Sequence, residues 1–159
     1  MPAAHPDRRR VLLGAAATLM AAPAALRAQD GGEMHVLKDP NCGCCTAWIR
    51  IAERAGFRVT VEESFGAALT REKLARGIPV EMMSCHTADI AGYVVEGHVP
   101  MADLRRMLDQ RPDAIGLAVP GMPFGSTGMG PEARREAYDV HLIRHDGSTE
   151  VFARYDAAT

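Results

Sequence analysis

A short apolar run from Met34 to Lys38 reads as a buried strand, and the apolar positions after it, Trp48, Ile49, Ala52 and Ala55, recur at helical spacing. Asp39-Pro40-Asn41 between them is turn material, with Asn41 placed to cap the helix and Gly56 to end it. Phe57 to Glu62 alternates apolar and polar residues, as a half-buried strand does. Strand, helix, strand in this order favours parallel pairing with a right-handed crossover. Further on, Thr70 to Arg76 is a short polar helix closed by Gly77. Thr87–Ile90 and Tyr93–Glu96 are two strands joined by a tight turn at Ala91-Gly92. Pro100 opens a helix running to about Gln110, its inner face formed by Leu104, Met107 and Leu108. From Ile115 to Pro131 glycine, proline and methionine dominate, which predicts a long loop of the kind that carries function. Tyr138–Ile143 and Glu150–Tyr155 close the chain as a hairpin around Asp146-Gly147. The pattern predicts one α/β domain: a central mixed sheet, flanking helices and a C-terminal β-hairpin.

The N-terminus changes the context of this domain. Arg8-Arg9-Arg10 precedes an apolar stretch from Val11 to Leu26, and Ala28 offers a small residue for cleavage. These are the parts of an export signal, and the paired arginines fit the twin-arginine route. A stable membrane anchor is not expected: a span needs ~20 apolar residues, and this run is broken by Pro23 and closed by Arg27. The expected organisation is therefore a cleaved segment, residues 1–28, and a domain over 29–159 in the periplasm. Losing residues 1–28 removes four arginines and Asp7, taking the formal charge from −2 to −5. An acidic domain with 5% aromatic residues and no basic run is unsuited to nucleic acid. Outside the cytoplasm disulfides persist, but a domain of this size buries enough core to fold without them.

All four cysteines of the chain fall in two places. Cys42-Gly43-Cys44-Cys45 opens the first helix, and Cys85 stands beside His86. Cys42 and Cys45 form a C-x-x-C pair at a helix N-terminus after a strand, the thioredoxin-like redox arrangement. Unpaired N–H groups and the helix dipole there favour thiolate, which serves a nucleophile and a metal ligand equally. A two-cysteine redox motif gains nothing from Cys44, whereas a metal centre gains a bridging sulfur. Thiolates and thioethers select soft ions such as Cu(I) or zinc. The candidate set of Cys42, Cys44, Cys45, Cys85, His86, His98 and Met122, with Met82, Met83 and Met129 nearby in sequence, is larger and softer than a zinc site requires. Copper, in more than one ion, fits it best. A metal-free thiol–disulfide oxidoreductase, with Cys42 attacking and Cys45 resolving, is the alternative; zinc and structural bridges remain. Methionines also fill core gaps, and Met101 and Met107 are expected to do so. His35, His141 and His145 read as ordinary strand residues, and Trp48 as a core residue behind the cysteine loop.

The motifs resemble a known family. Asp39-Pro40-Asn41-Cys42-Gly43-Cys44-Cys45-Thr46-Ala47-Trp48 is similar to the C-x-C-C signature of the CopG-type periplasmic copper-resistance proteins. Ser84-Cys85-His86-Thr87-Ala88, the block Gly92 to Pro100 and the block Gly116 to Pro123 resemble the family's other segments, in the same order. The resemblance implies a thioredoxin-like domain that binds Cu(I) as a small cluster, aids copper tolerance, and acts on copper or thiols as an oxidoreductase. It further implies Cys42, Cys44, Cys45 and Cys85 as the cluster sulfurs, with His86, His98 and Met122 inside matching blocks. Copper ions and other periplasmic copper-handling proteins are the partners it implies.

Overall fold

The structure, a computed structural model, describes Met1 and residues 31–159. The expected export segment, residues 1–28, and the cleavage point before Gln29 lie outside the described residues. Among the described residues no helix is long and apolar enough to cross a membrane.

Seven strands form one mixed sheet: β1 (Glu33–Lys38), β2 (Arg58–Glu63), β3 (His86–Ile90), β4 (Tyr93–Gly97), β5 (Gly116–Val119), β6 (Tyr138–Ile143) and β7 (Thr149–Tyr155). Their order across the sheet is β2-β1-β3-β4-β5-β6-β7. β1 runs parallel to β2 across the helix α1 (Gly43–Arg54), as the strand–helix–strand pattern predicts. β3 and β4 are antiparallel, joined by Ala91 and Gly92, which both take positive φ as a two-residue hairpin turn requires. The helix α3 (Met101–Gln110) starts after Pro100 and buries Leu104 and Met107. The C-terminal hairpin, β6 and β7, extends the same sheet and is tied to α3 where the Tyr155 hydroxyl donates to Asp103 Oδ2 at 2.6 Å.

Two expectations need correction. The polar helix α2 (Gly66–Ala75) begins four residues before Thr70, since its exposed face gives little period to read. More consequentially, the glycine-rich stretch after Ile115 contains β5, a central strand whose four residues are all buried. β5 is parallel to β4 and antiparallel to β6. Apolar side chains cover both of its faces. Leu117 and Val119 join the larger core with Trp48, Val95, Leu104 and Met107, while Ala118 joins Val94, Ile78, Met82 and Ile143 on the other face. A strand buried on both faces shows no alternation.

Gly116 is the reason β4 and β5 lie so close. A Cβ there would sit 1.7 Å from the Val94 carbonyl oxygen, on the strand it pairs with. Backbone cannot yield as a flexible side chain does. Gly116→Ala is therefore expected to cost about 3 kcal/mol or more, the upper end for overpacking, read as a lowered urea midpoint. A midpoint unchanged from the parent would show that β5 has room this register denies it.

Candidate metal centre

The strand ends gather the chemistry. β1 and β3 are antiparallel with Lys38 opposite His86, so the chain leaves β1 where it enters β3. β4 ends on the same side, with Gly97 opposite Val119 of β5. The cysteine loop, the Cys85 corner and His98 thus meet at one edge.

Lys38 prepares the loop. Its buried ammonium donates to the carbonyls of Asp39 at 2.9 Å and Pro40 at 3.4 Å, and the Asn41 N–H donates to Asp39 Oδ1 at 2.8 Å. These bonds brace the turn. The cap of α1 is Cys42 instead, whose Sγ accepts from the Cys45 N–H at 3.2 Å. Sulfur takes the place expected of an asparagine oxygen, which puts it at the positive end of the helix.

Cys42 and Cys45 are joined as a disulfide, while Cys44 and Cys85 are free thiols. Cys44 Sγ lies 3.4 Å from Cys42 Sγ and 3.9 Å from Cys85 Sγ. All four sulfurs fall within 4.8 Å of one another, and so do the donor atoms of a second group, Cys85, His86 and His98. Cys85 belongs to both. Cys42 is half-buried and Cys45 fully buried, so Cys42 is the more accessible sulfur of the bridge.

The two imidazoles are held differently. His98 Nδ1 faces the Thr127 carbonyl at 2.8 Å and so must carry its proton there, leaving Nε2 bare 3.0 Å from Cys85 Sγ. His86 Nδ1 lies 3.4 Å from the same sulfur. With the Cys85 proton directed to His98, His86 presents its N–H to sulfur and leaves its Nε2 bare. That Nε2 is buried and without a hydrogen-bond partner among the described residues. Trp48 walls this pocket, its ring 4.6 Å from that of His86 and its indole N–H donating to the Val99 carbonyl at 2.9 Å. Burial lowers the affinity of both histidines for protons; at His98 the Thr127 bond partly opposes it. Both are thus neutral and able to ligate. Burial also pushes the Cys85 thiol up to about 12, with Cys44 adding to the rise. Without a cation beside it, this sulfur keeps its proton.

The remaining expected residues separate. Met82 is buried and Met83 packs beside it in the smaller core, so both are packing residues. Met122 follows Gly121, whose carbonyl accepts from Ser84 Oγ, and is 57% exposed at the rim. His35 bonds Thr60 and Glu62 across the β1–β2 pair, and His145 lies 3.3 Å from Asp113. The sequence reading missed Lys73, Glu96 and Thr87, which form a buried polar cluster behind Cys85. A charged residue inside the apolar run Tyr93–Gly97 was the available signal, since such a charge needs a partner.

A family profile described as "Protein of unknown function, DUF411" matches residues 82–129. No curated protein gave a significant match. Among solved structures, "Copper resistance protein copG- Form 1" is 44% identical, with a TM-score of 0.72, over 79% of this chain and 98% of that one. "Copper resistance protein copG- Form 2" is 45% identical, with a TM-score of 0.70, over 77% of this chain and 97% of that one. Identity and coverage at this level mean that the chain belongs to the CopG copper-resistance protein family.

Proposed function

We propose that this protein binds copper as Cu(I), in more than one ion, and serves copper resistance. Cys42, Cys44, Cys45 and Cys85 supply the sulfurs, and His86 and His98 complete the coordination around Cys85. The observation that carries the reading is the gathering of four sulfurs within 4.8 Å from segments some forty residues apart. The donor chemistry supports it further. Sulfur and neutral imidazole suit a soft ion, and His86 Nε2 is buried without a hydrogen-bond partner among the described residues. Met122, exposed at the rim, is outermost in this scheme. The relatives named for copper resistance add their weight. The proposal takes the domain as thioredoxin-like, because β1-α1-β2-α2-β3-β4-α3 with neighbouring strands β2-β1-β3-β4 and C-x-x-C at the head of α1 fits that frame. It also takes residues 1–28 as an export leader and the periplasm as the working compartment.

Anaerobic titration of the reduced protein with Cu(I), bound metal being counted by elemental analysis, tests this. More than one copper per chain is expected, falling in Cys44→Ser while the circular dichroism spectrum stays that of the parent. An unchanged stoichiometry in Cys44→Ser would count against a shared-sulfur cluster.

The Cys42–Cys45 disulfide favours a second reading, a thiol–disulfide oxidoreductase with Cys42 attacking and Cys45 resolving. It predicts insulin reduction that needs Cys42 and Cys45 and is indifferent to Cys44. The two activities compete for the same sulfurs.

A further inference from the structure

We propose that Lys73 and Glu96 are positioning residues: a buried clamp that holds the Ser84 backbone before Cys85 and the Thr87 side chain after it, and so aims the Cys85 sulfur. The role of Cys85 as a ligand rests on the function proposed above; the clamp itself does not.

Glu96 is 0% and Lys73 3% exposed. Glu96 Oε1 accepts from Lys73 Nζ at 2.5 Å and from the backbone N–H of Ser84 at 2.5 Å. Lys73 also donates to Thr87 Oγ1 at 3.0 Å, which turns the Thr87 hydroxyl proton towards Glu96 Oε2, and the second carboxylate oxygen accepts it. One carboxylate thereby holds the residue before Cys85 and the second residue after it. Glu96 stands opposite Thr87 in the β3–β4 ladder and two residues before His98. β4 therefore carries the anchor for the thiol and leads directly into the imidazole that faces it.

Stability alone is a poor reason for such a pair. A buried ion pair often gains nothing over apolar residues of the same volume, because desolvation offsets attraction. What an apolar pair cannot supply is an acceptor for the Ser84 N–H. That donor would be left orphaned, and the corner would be free to swing.

Two double variants separate positioning from charge neutralisation. Lys73→Met with Glu96→Gln removes both charges but keeps an oxygen for the Ser84 N–H and an amide for Thr87. Lys73→Met with Glu96→Leu removes the acceptor as well. Both are made in the full metal-free chain carrying Cys42→Ser, Cys44→Ser and Cys45→Ser, and Cys85 alkylation by iodoacetamide is timed. The glutamine double should stay within about twofold of its parent, whereas the leucine double should react about tenfold faster through local opening. With all cysteines restored, the leucine double should bind Cu(I) about 10–100-fold more weakly, the usual cost of losing a group that orients a ligand. Equal rates in the two doubles would overturn the clamp. Should the leucine double not fold, amide exchange in the unaltered protein decides: the Ser84 N–H should exchange at least about 100-fold slower than in a free peptide, and unprotected exchange would overturn the proposal. Failure of the unaltered protein to take up Cu(I) would sink the copper reading, leaving alkylation and exchange to judge the clamp.

Discussion

Replacing Cys85 with serine is expected to weaken Cu(I) binding by more than about 100-fold, beyond what loss of an orienting group costs. Cys85 is the one residue common to the four-sulfur group and the Cys85–His86–His98 group. Its sulfur stands 3.9 Å from Cys44, 3.4 Å from His86 Nδ1 and 3.0 Å from His98 Nε2. A serine oxygen at that point is hard and protonated, and copper(I) has little affinity for it. The substitution thus removes a shared sulfur and also separates the histidines from the remaining thiols. Cys44→Ser, by comparison, touches the four-sulfur group alone. The fold should survive, because serine is close to cysteine in size and Cys85 is only partly buried. Competition against a chromophoric Cu(I) chelator measures the loss, with a thermal melt as control. An affinity within tenfold of the parent would remove Cys85 from the centre.

The oxidised protein, bridged between Cys42 and Cys45, is expected to bind Cu(I) at least about 100-fold more weakly than the reduced one. The bridge ties up two of the four sulfurs, and opening it takes two electrons and two protons to yield two thiols. Linkage makes the effect reciprocal: an ion that prefers the reduced form must also make the disulfide easier to reduce. A hundredfold preference raises the reduction potential of the couple by about 60 mV, at about 30 mV per factor of ten. The measurement is a dithiothreitol redox titration with and without Cu(I), read by mass spectrometry after alkylation. A potential that does not move with copper would mean that Cys42 and Cys45 lie outside the metal centre.

Sequence period revealed the helices α1 and α3 because each has one wet and one dry face. Helix α1 declared itself through Trp48, Ile49 and Ala52, all buried. The β6–β7 pair did so through its turn at Asp146-Gly147. β5 escaped because it is only four residues long, opens on Gly116 and runs straight into the glycine- and proline-rich loop that follows it; β4, equally buried, was marked by its tight turn at Ala91-Gly92. The helix is capped by Cys42, one residue after Asn41, its sulfur accepting from the Cys45 N–H. The gathered residues at the site were visible as types and spacings. Their support was not, since nothing in the chain order links Lys73 to Glu96, or Thr127 to His98. Those partnerships exist only once the sheet sets the register. Met122 shows the converse limit, a soft ligand in a matching segment that folds to the rim.

The separations that define the centre also rank the steps by which it can be built. Cys42 and Cys45 are three residues apart and meet as soon as one turn of helix forms, while Cys44 and Cys85 are separated by 41 residues and meet only after β3 docks on β1. His98 is oriented later still, by a carbonyl 29 residues downstream, beyond β5. Local closures are cheap in chain entropy and distant ones are not. The pair that oxidises is therefore available to an emerging chain long before the pocket that would hold an ion. Where an oxidant is at hand, a newly made molecule can close its bridge before that pocket exists, and on the proposed function its first metal would then need a reductant.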